Sequence, residues 1–296
     1  MWIALLVPIM VFMYSFQSLF TRLYSANYAG PDSKQSTPVF SVCYGLFIGA
    51  ASLIAGLIRN ASFAPTWHTW LCALANALML FLYNTSMIES GNRGSYSFLM
   101  IASMSGGILV PLVFELLRGQ PITPVQGFAM VLMIASFVVM HCRGLSLKGS
   151  SGLYYFWCAV LFLSNGSYAI FMSLQTELTN GMQSTEMNTI LFTCTALIAI
   201  ATQLFRGRGK QLIQGFRMGK KAALFLLICC AAATTAVNLL LLILPHTIDS
   251  IIYTIDNGGV LILSIIYSLV LFKERPKVEQ WIGMAMAFVS LILISL

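Results

Sequence analysis

Ten apolar runs follow one another along this chain, at about 2–24, 38–58, 67–88, 95–117, 124–141, 152–173, 187–205, 221–244, 247–272 and 277–296. Only short polar or Pro/Gly breaks separate them. About 20 residues is the length an α-helix needs to cross roughly 30 Å of hydrocarbon. That layer holds no water, so a spanning segment must pair its own backbone, which leaves helices and closed barrels. Barrel strands alternate apolar and polar residues, and these runs do not. Charge is scarce as well: 8% of the 296 residues are Asp, Glu, Lys or Arg, against about 25% in soluble domains. Soluble enzymes, nucleic-acid binders, disordered chains and disulfide scaffolds are therefore poor fits. The pattern predicts an all-α polytopic membrane protein with ten transmembrane helices.

The net charge of +7 does not point to nucleic acid, because the basic residues lie in short loops, where positive charge sets membrane orientation. The cysteines fall mostly inside apolar runs without a C-x-x-C pair, and read as small buried hydrophobes. His68, His141 and His246 are scattered, which gives no metal-ligand spacing, and no cofactor is expected. The first run lacks the charged start of a signal peptide and reads as a retained span.

Sliding the chain by 154 residues aligns Tyr14 with Tyr168, Asn84 with Asn238, Gln126 with Gln280, Met130 with Met284 and Ser136 with Ser290. Each half then holds five runs, and its fourth and fifth are joined by a tight Pro-containing turn. Both fourth runs carry a small-residue step, Ser105-Gly106-Gly107 and Asn257-Gly258-Gly259, which superpose after a slip of about two residues. An odd number of spans per half makes the second half run the opposite way. The expected organisation is two inverted five-helix repeats, 1–150 and 151–296, as secondary transporters are built.

Two turns carry a more specific resemblance. Leu117-Arg118-Gly119-Gln120-Pro121 through Gly127, and Phe272-Lys273-Glu274-Arg275-Pro276 through Gln280-Trp281-Ile282-Gly283, resemble the G-E-R-like turn and following Q-W-x-G that end an EamA-like repeat. The second copy matches better, since the first has Gln120 at the acidic position and no Trp. Leu82-Tyr83-Asn84-Thr85-Ser86 resembles the end of the family's third helix. The resemblance, to the drug/metabolite transporter superfamily, implies movement of a small metabolite or drug-like solute without ATP. It says little about which solute.

The odd-numbered loops hold Arg22, Lys34, Arg93, Arg143, Lys148, Arg206, Arg208, Lys210, Arg217, Lys220, Lys221, Lys273, Arg275 and Lys277, and the even-numbered ones only Arg59 and Arg118. The positive-inside rule puts the odd loops in the cytoplasm of a plasma (inner) membrane and both termini outside. The family habit is the reverse. Arg206–Lys221 predicts a topology anchor with a short interfacial helix, its Leu212, Ile213 and Phe216 on one face. Trp2, Trp67 and Trp70 fit interfacial belts.

A charge near the bilayer centre costs at least ~2.5–3.5 kcal/mol, which makes Asp256, deep in the ninth run, the first candidate site residue. Asp249 lies two turns earlier on nearly the same face, and Asn257 follows at once. Asn76, Asn165 and Asn238 are amides in hydrocarbon and need partners, as do Gln17, Thr234 and Thr235. Together they suggest a polar central cavity. Tyr14 and Tyr168, being repeat partners, are placed at that cavity, with Tyr83 next. Proton coupling rests on Asp256 alone. The small residues Gly45, Gly49, Ser52 and Gly56, and Gly283 with Ala287, read as close helix contacts. Pro8 and Pro111 are expected to kink their helices, and Glu115 to pair with Arg118 or reach the interface.

No G-x-x-x-x-G-K-[ST] is present, so nothing points to ATP. The competing reading, a membrane enzyme acting on a lipid-linked substrate, needs clustered acids or a nucleophile with a base, and neither is visible. A receptor would carry a signalling domain or tail. The partners expected are a small-molecule substrate and the bilayer, with no nucleic acid and no required oligomer.

Overall fold

The computed structural model describes residues 2–58, 63–91, 93–119, 123–142, 152–243 and 249–294. Within these residues each apolar run is helical. The first half gives α1 (Trp2–Asn27), α2 (Ser36–Ile58), α3 (Trp67–Gly91), α4 (Tyr96–Leu117) and α5 (Pro124–Cys142). The second gives α6 (Gly152–Thr179), α7 (Ser184–Phe205), the short α8 (Gly209–Gly215), α9 (Lys220–Ile243), α10 (Asp249–Val270) and α11 (Val278–Ile294). Among the described residues, seven helices (α1 to α4, α6, α7 and α9) are long and apolar enough to cross a membrane, while α5, α10 and α11 carry shorter apolar stretches. No strand occurs among the described residues. α1 and α4 run unbroken through Pro8 and Pro111.

The molecule is arranged inside out relative to a soluble fold. Leu57, Leu74, Phe128, Leu163, Leu227 and Ile266 are exposed, whereas Gln17, Asn76, Asn84, Asn188 and Asn257 are buried. The helices pack in reciprocal pairs. α1 packs on α9 as α3 packs on α6; α4 packs on α6 as α1 packs on α10; and α3 packs on α7 as α2 packs on α9. α2 with α7, α4 with α10 and α5 with α11 face one another across the same exchange.

Small residues make these approaches possible. With lipid outside, helices associate through close van der Waals packing rather than water exclusion. A side-chain carbon on Gly106 of α4 would strike the Phe162 carbonyl of α6, with the Phe162 Cα 2.7 Å away. One on Gly259 of α10 would meet Val11 of α1 at 2.5 Å. The two aligned small-residue steps therefore serve matching crossings. Gly45, Gly49 and Gly56 of α2 all abut α7, at Ala196, Thr193 and Thr185, which is the close packing expected of that stripe. Ala287 of α11 is fully buried.

The turn that ends α4 places Gly119 at φ 81°, and the turn that ends α10 places Lys273 at φ 51°. These positions are aligned by the 154-residue offset. Both turns leave their helix through the left-handed region, which glycine enters freely and lysine only at a cost.

Two expectations need correction. Leu212, Ile213 and Phe216 do not share a face: Leu212 is buried, while Ile213 and Phe216 are exposed. α8 sits against the end of α1 instead, where the Tyr28 hydroxyl donates to the Gly215 carbonyl at 2.9 Å. Arg118 does not pair with Glu115, which is exposed; its guanidinium forks onto Glu177 of α6, with both contacts at 3.0 Å. A bidentate carboxylate across the helix gap satisfies the planar donor better than a neighbour on the same helix.

Candidate functional site

Two apolar clusters make up the interior. One gathers α4, α5, α6, α10 and α11 with the first part of α1, and the other α2, α3, α7 and α9 with its last part. Tyr14 and Tyr83 touch both. Between the clusters lies a cavity of about 810 Å³, counting its open mouth.

Six of the nine residues expected at a site line it: Tyr14, Tyr83, Asn165, Tyr168, Asp256 and Asn257. They come from four helices, α1, α3, α6 and α10, and each crosses the middle of the bundle because its run is apolar on both sides. Asn165 donates its Nδ2 to the Ser103 carbonyl at 2.7 Å. That bond ties α6 to α4 and leaves the amide oxygen as an acceptor. A side chain on Gly107 would fill the space beside Asn165 and Asn257. Asp256 presents an Oδ1 that is buried and lacks a hydrogen-bond partner among the described residues.

Two other candidates, Asn76 and Asn238, stand elsewhere. Asn76 is fully buried and donates to the Tyr168 carbonyl at 3.2 Å, so it holds α6 in place from behind the wall. Asn238 donates back to Thr234 within its own helix at 2.8 Å. The side chain of Asp249 lies outside the described residues. The sequence pattern did not single out Tyr44, Phe192 or Gly107 for this wall. Tyr44 accepts from the Gln17 amide at 2.8 Å, which fixes its ring between α1 and α2.

One end of the cavity carries a second polar cluster that the sequence did not reveal. Glu274, carried across by the turn at Lys273, lies over the start of α4. It accepts from the Tyr96 N–H at 2.7 Å, the Ser95 hydroxyl at 3.0 Å, the Ser97 hydroxyl at 2.9 Å, and the Ser268 hydroxyl. α4 has no acidic residue in its first turn, and Glu274 supplies that negative charge from another helix. Arg22 of α1 completes the cluster, bonding Glu274 at 3.1 Å with its guanidinium over the rings of Phe272, at 3.8 Å, and Tyr96, at 4.9 Å. Burial works against the Glu274 charge, but the bonds from Ser268, the Tyr96 N–H and Ser97, with the Arg22 charge, outweigh it and hold the carboxyl below the usual range.

Residues 152–296 match the EamA-like transporter family. The second half of the chain is an EamA-like transporter domain. Together with the long apolar helices, this match supports a multi-pass membrane protein. No curated protein matches the chain. A solved crystal structure of a protein, 14% identical, superposes with a TM-score of 0.58 over 98% of this chain and 95% of that one, a likeness of fold. The EamA-like domain contributes Asn165, Tyr168, Phe192, Asp256 and Asn257 to the cavity, and the first half contributes Tyr14, Gln17, Tyr44 and Tyr83. Glu274 is the acidic residue of the turn that resembles the end of an EamA-like repeat.

Proposed function

We propose that this protein is a secondary transporter that carries a small solute through the central cavity by alternating access. The observation that carries the reading is the cavity itself: mid-bundle, aromatic-walled, with one carboxylate, in a chain whose second half is an EamA-like domain. The reciprocal helix pairing supports two inverted five-helix repeats, 1–150 and 151–296, that rock against one another.

The two ends of the cavity differ in a way that supports one closed gate. The Arg22–Glu274 pair ties α1, α4 and α10 together on the odd-loop side and is largely buried, at 15% and 18% exposure. Arg118–Glu177 joins the corresponding helices, α4 and α6, at the opposite end, and is exposed at 46% and 57%. The charges are exchanged between the halves and the burial is not. In this reading the odd-loop end is sealed and the even-loop end is the more open one.

The distribution of basic residues supports a cytoplasmic sealed end and both termini outside a plasma membrane. A reporter fused after Leu296 should therefore be active only outside the cell; a cytoplasmic signal would reverse the orientation and leave the gate argument in place. Transport is tested by flux. Proteoliposomes holding the purified chain should accumulate or release members of a labelled metabolite set faster than empty vesicles, with saturation. Vesicles whose fluxes equal the protein-free controls for every solute class would refute the reading.

A further inference from the structure

We infer that the solute is a monovalent organic cation with aromatic or other apolar substituents, held by the Asp256 carboxylate against tyrosine faces. The inference rests on the cavity being the transport site and names what that site takes.

Charge comes first. Among the described residues that line the cavity, Asp256 is the one Asp or Glu, and there is no Lys, Arg or His. A buried carboxylate left alone costs several kcal/mol, so it must take up a proton or meet a positive charge. Among the described residues that line the cavity, the protein offers no such charge. Arg22, the basic residue on the length of α1 that leads away from the cavity, is already bound to Glu274 and covered by Phe272 and Tyr96. The Asp256 carboxylate, which lines the cavity and whose buried Oδ1 lacks a hydrogen-bond partner among the described residues, is therefore left for a cation brought by the ligand.

The walls narrow the class. Tyr14, Tyr44, Tyr83, Tyr168 and Phe192 supply aromatic surface, and a cation over a ring gains ~0.5–2 kcal/mol, most when desolvated. The free acceptor oxygen of Asn165, whose amide hydrogen goes to Ser103, adds a second attraction of the same sign. An inorganic cation fits poorly: hard divalent ions want six or more oxygens, and the described residues hold no cluster of three acids, histidines or cysteines. An anion would face the Asp256 carboxylate with nothing to offset it. A bulky, weakly hydrated cation loses little on leaving water, and the rings replace what it loses.

The test compares two ions of the same shape and opposite charge. Tetraphenylphosphonium and tetraphenylborate are each measured, separately, for binding to the purified full-length protein in an uncharged detergent. The phosphonium should bind saturably and the borate should not. Asp256→Asn should weaken phosphonium binding on the order of tenfold or more, the loss of one favourable charge contact, while Asp256→Glu retains most of it. Equal binding of both ions, or phosphonium binding unchanged in Asp256→Asn, overturns the inference, and the wild-type comparison stands even where a variant fails to fold. Phosphonium binding without any flux would instead sink the transport reading and leave the cation site. Saturable flux of neutral or anionic solutes, with no phosphonium binding, would sink the cation site and leave transport.

Discussion

Replacing Gly106 with valine should destabilise the protein by ~1–3 kcal/mol or more, the cost of overpacking a tight contact. The obstacle is backbone: the Phe162 carbonyl carbon and Cα lie 2.7 Å from where the first side-chain carbon would sit, and a helix backbone cannot rotate aside as a side chain can. α4 and α6 must separate instead. That separation would also pull Asn165 from the Ser103 carbonyl, which it now meets at 2.7 Å, so solute binding should fall together with stability. Gly127 of α5 is the internal control, since nothing lies within 4 Å of its added carbon. Gly127→Ala should be neutral or stabilising by up to ~1 kcal/mol, because alanine is the better helix former. Thermal unfolding of the purified variants, followed by tryptophan fluorescence, separates the two. An unchanged midpoint for Gly106→Val would show that the α4–α6 approach is looser than described.

What the sequence makes legible, and what it hides, follows from how far apart the cooperating residues lie. Helix positions were readable because apolar length alone dictates them. Asp256, Asn165 and the tyrosine pair were readable because a charge or amide in hydrocarbon is costly enough to need a reason. The same rule overreached at Asn238, which settles its amide on the carbonyl four residues back, and at Asn76, which braces a neighbouring helix from behind the wall. Tyr44 and Phe192 gave no signal, because an aromatic residue in an apolar run looks the same facing lipid or a cavity. Arg22 and Glu274 were hidden differently. They are 252 residues apart, and each had a sufficient local explanation, one as a topology charge and the other as a letter of a turn. The clue available was the start of α4, where Ser95 and Ser97 flank a helix without an acid in its first turn.

Breaking that cluster should have the largest functional effect of any single change away from the cavity. Glu274→Gln keeps the size of the side chain but removes its charge, leaving Arg22 buried and unpaired between two rings; losing one member of such a pair costs on the order of 3–5 kcal/mol. Arg22→Gln should cost less than Glu274→Gln, because the carboxylate keeps the Tyr96 N–H and the Ser95, Ser97 and Ser268 hydroxyls. Removing both charges should recover part of the loss. The cost falls on the closed arrangement, since α1, α4 and α10 meet there, so the variant should spend more time open at the odd-loop end. A cysteine introduced at Ser18, in a background with the native thiols replaced, reports this. It should resist a membrane-impermeant maleimide added from the odd-loop side in the parent and react in Glu274→Gln. Acid should not mimic the change in the physiological range. The folded carboxyl titrates below its ordinary value, so its contribution is fully present above about pH 4.3, the unfolded value, and is lost only as pH falls through the lower folded one. Labelling of the Ser18→Cys parent should therefore be flat from neutral pH down to about 5. A rise across that window, or equal labelling of parent and Glu274→Gln, would mean that the buried pair is not what keeps this end shut.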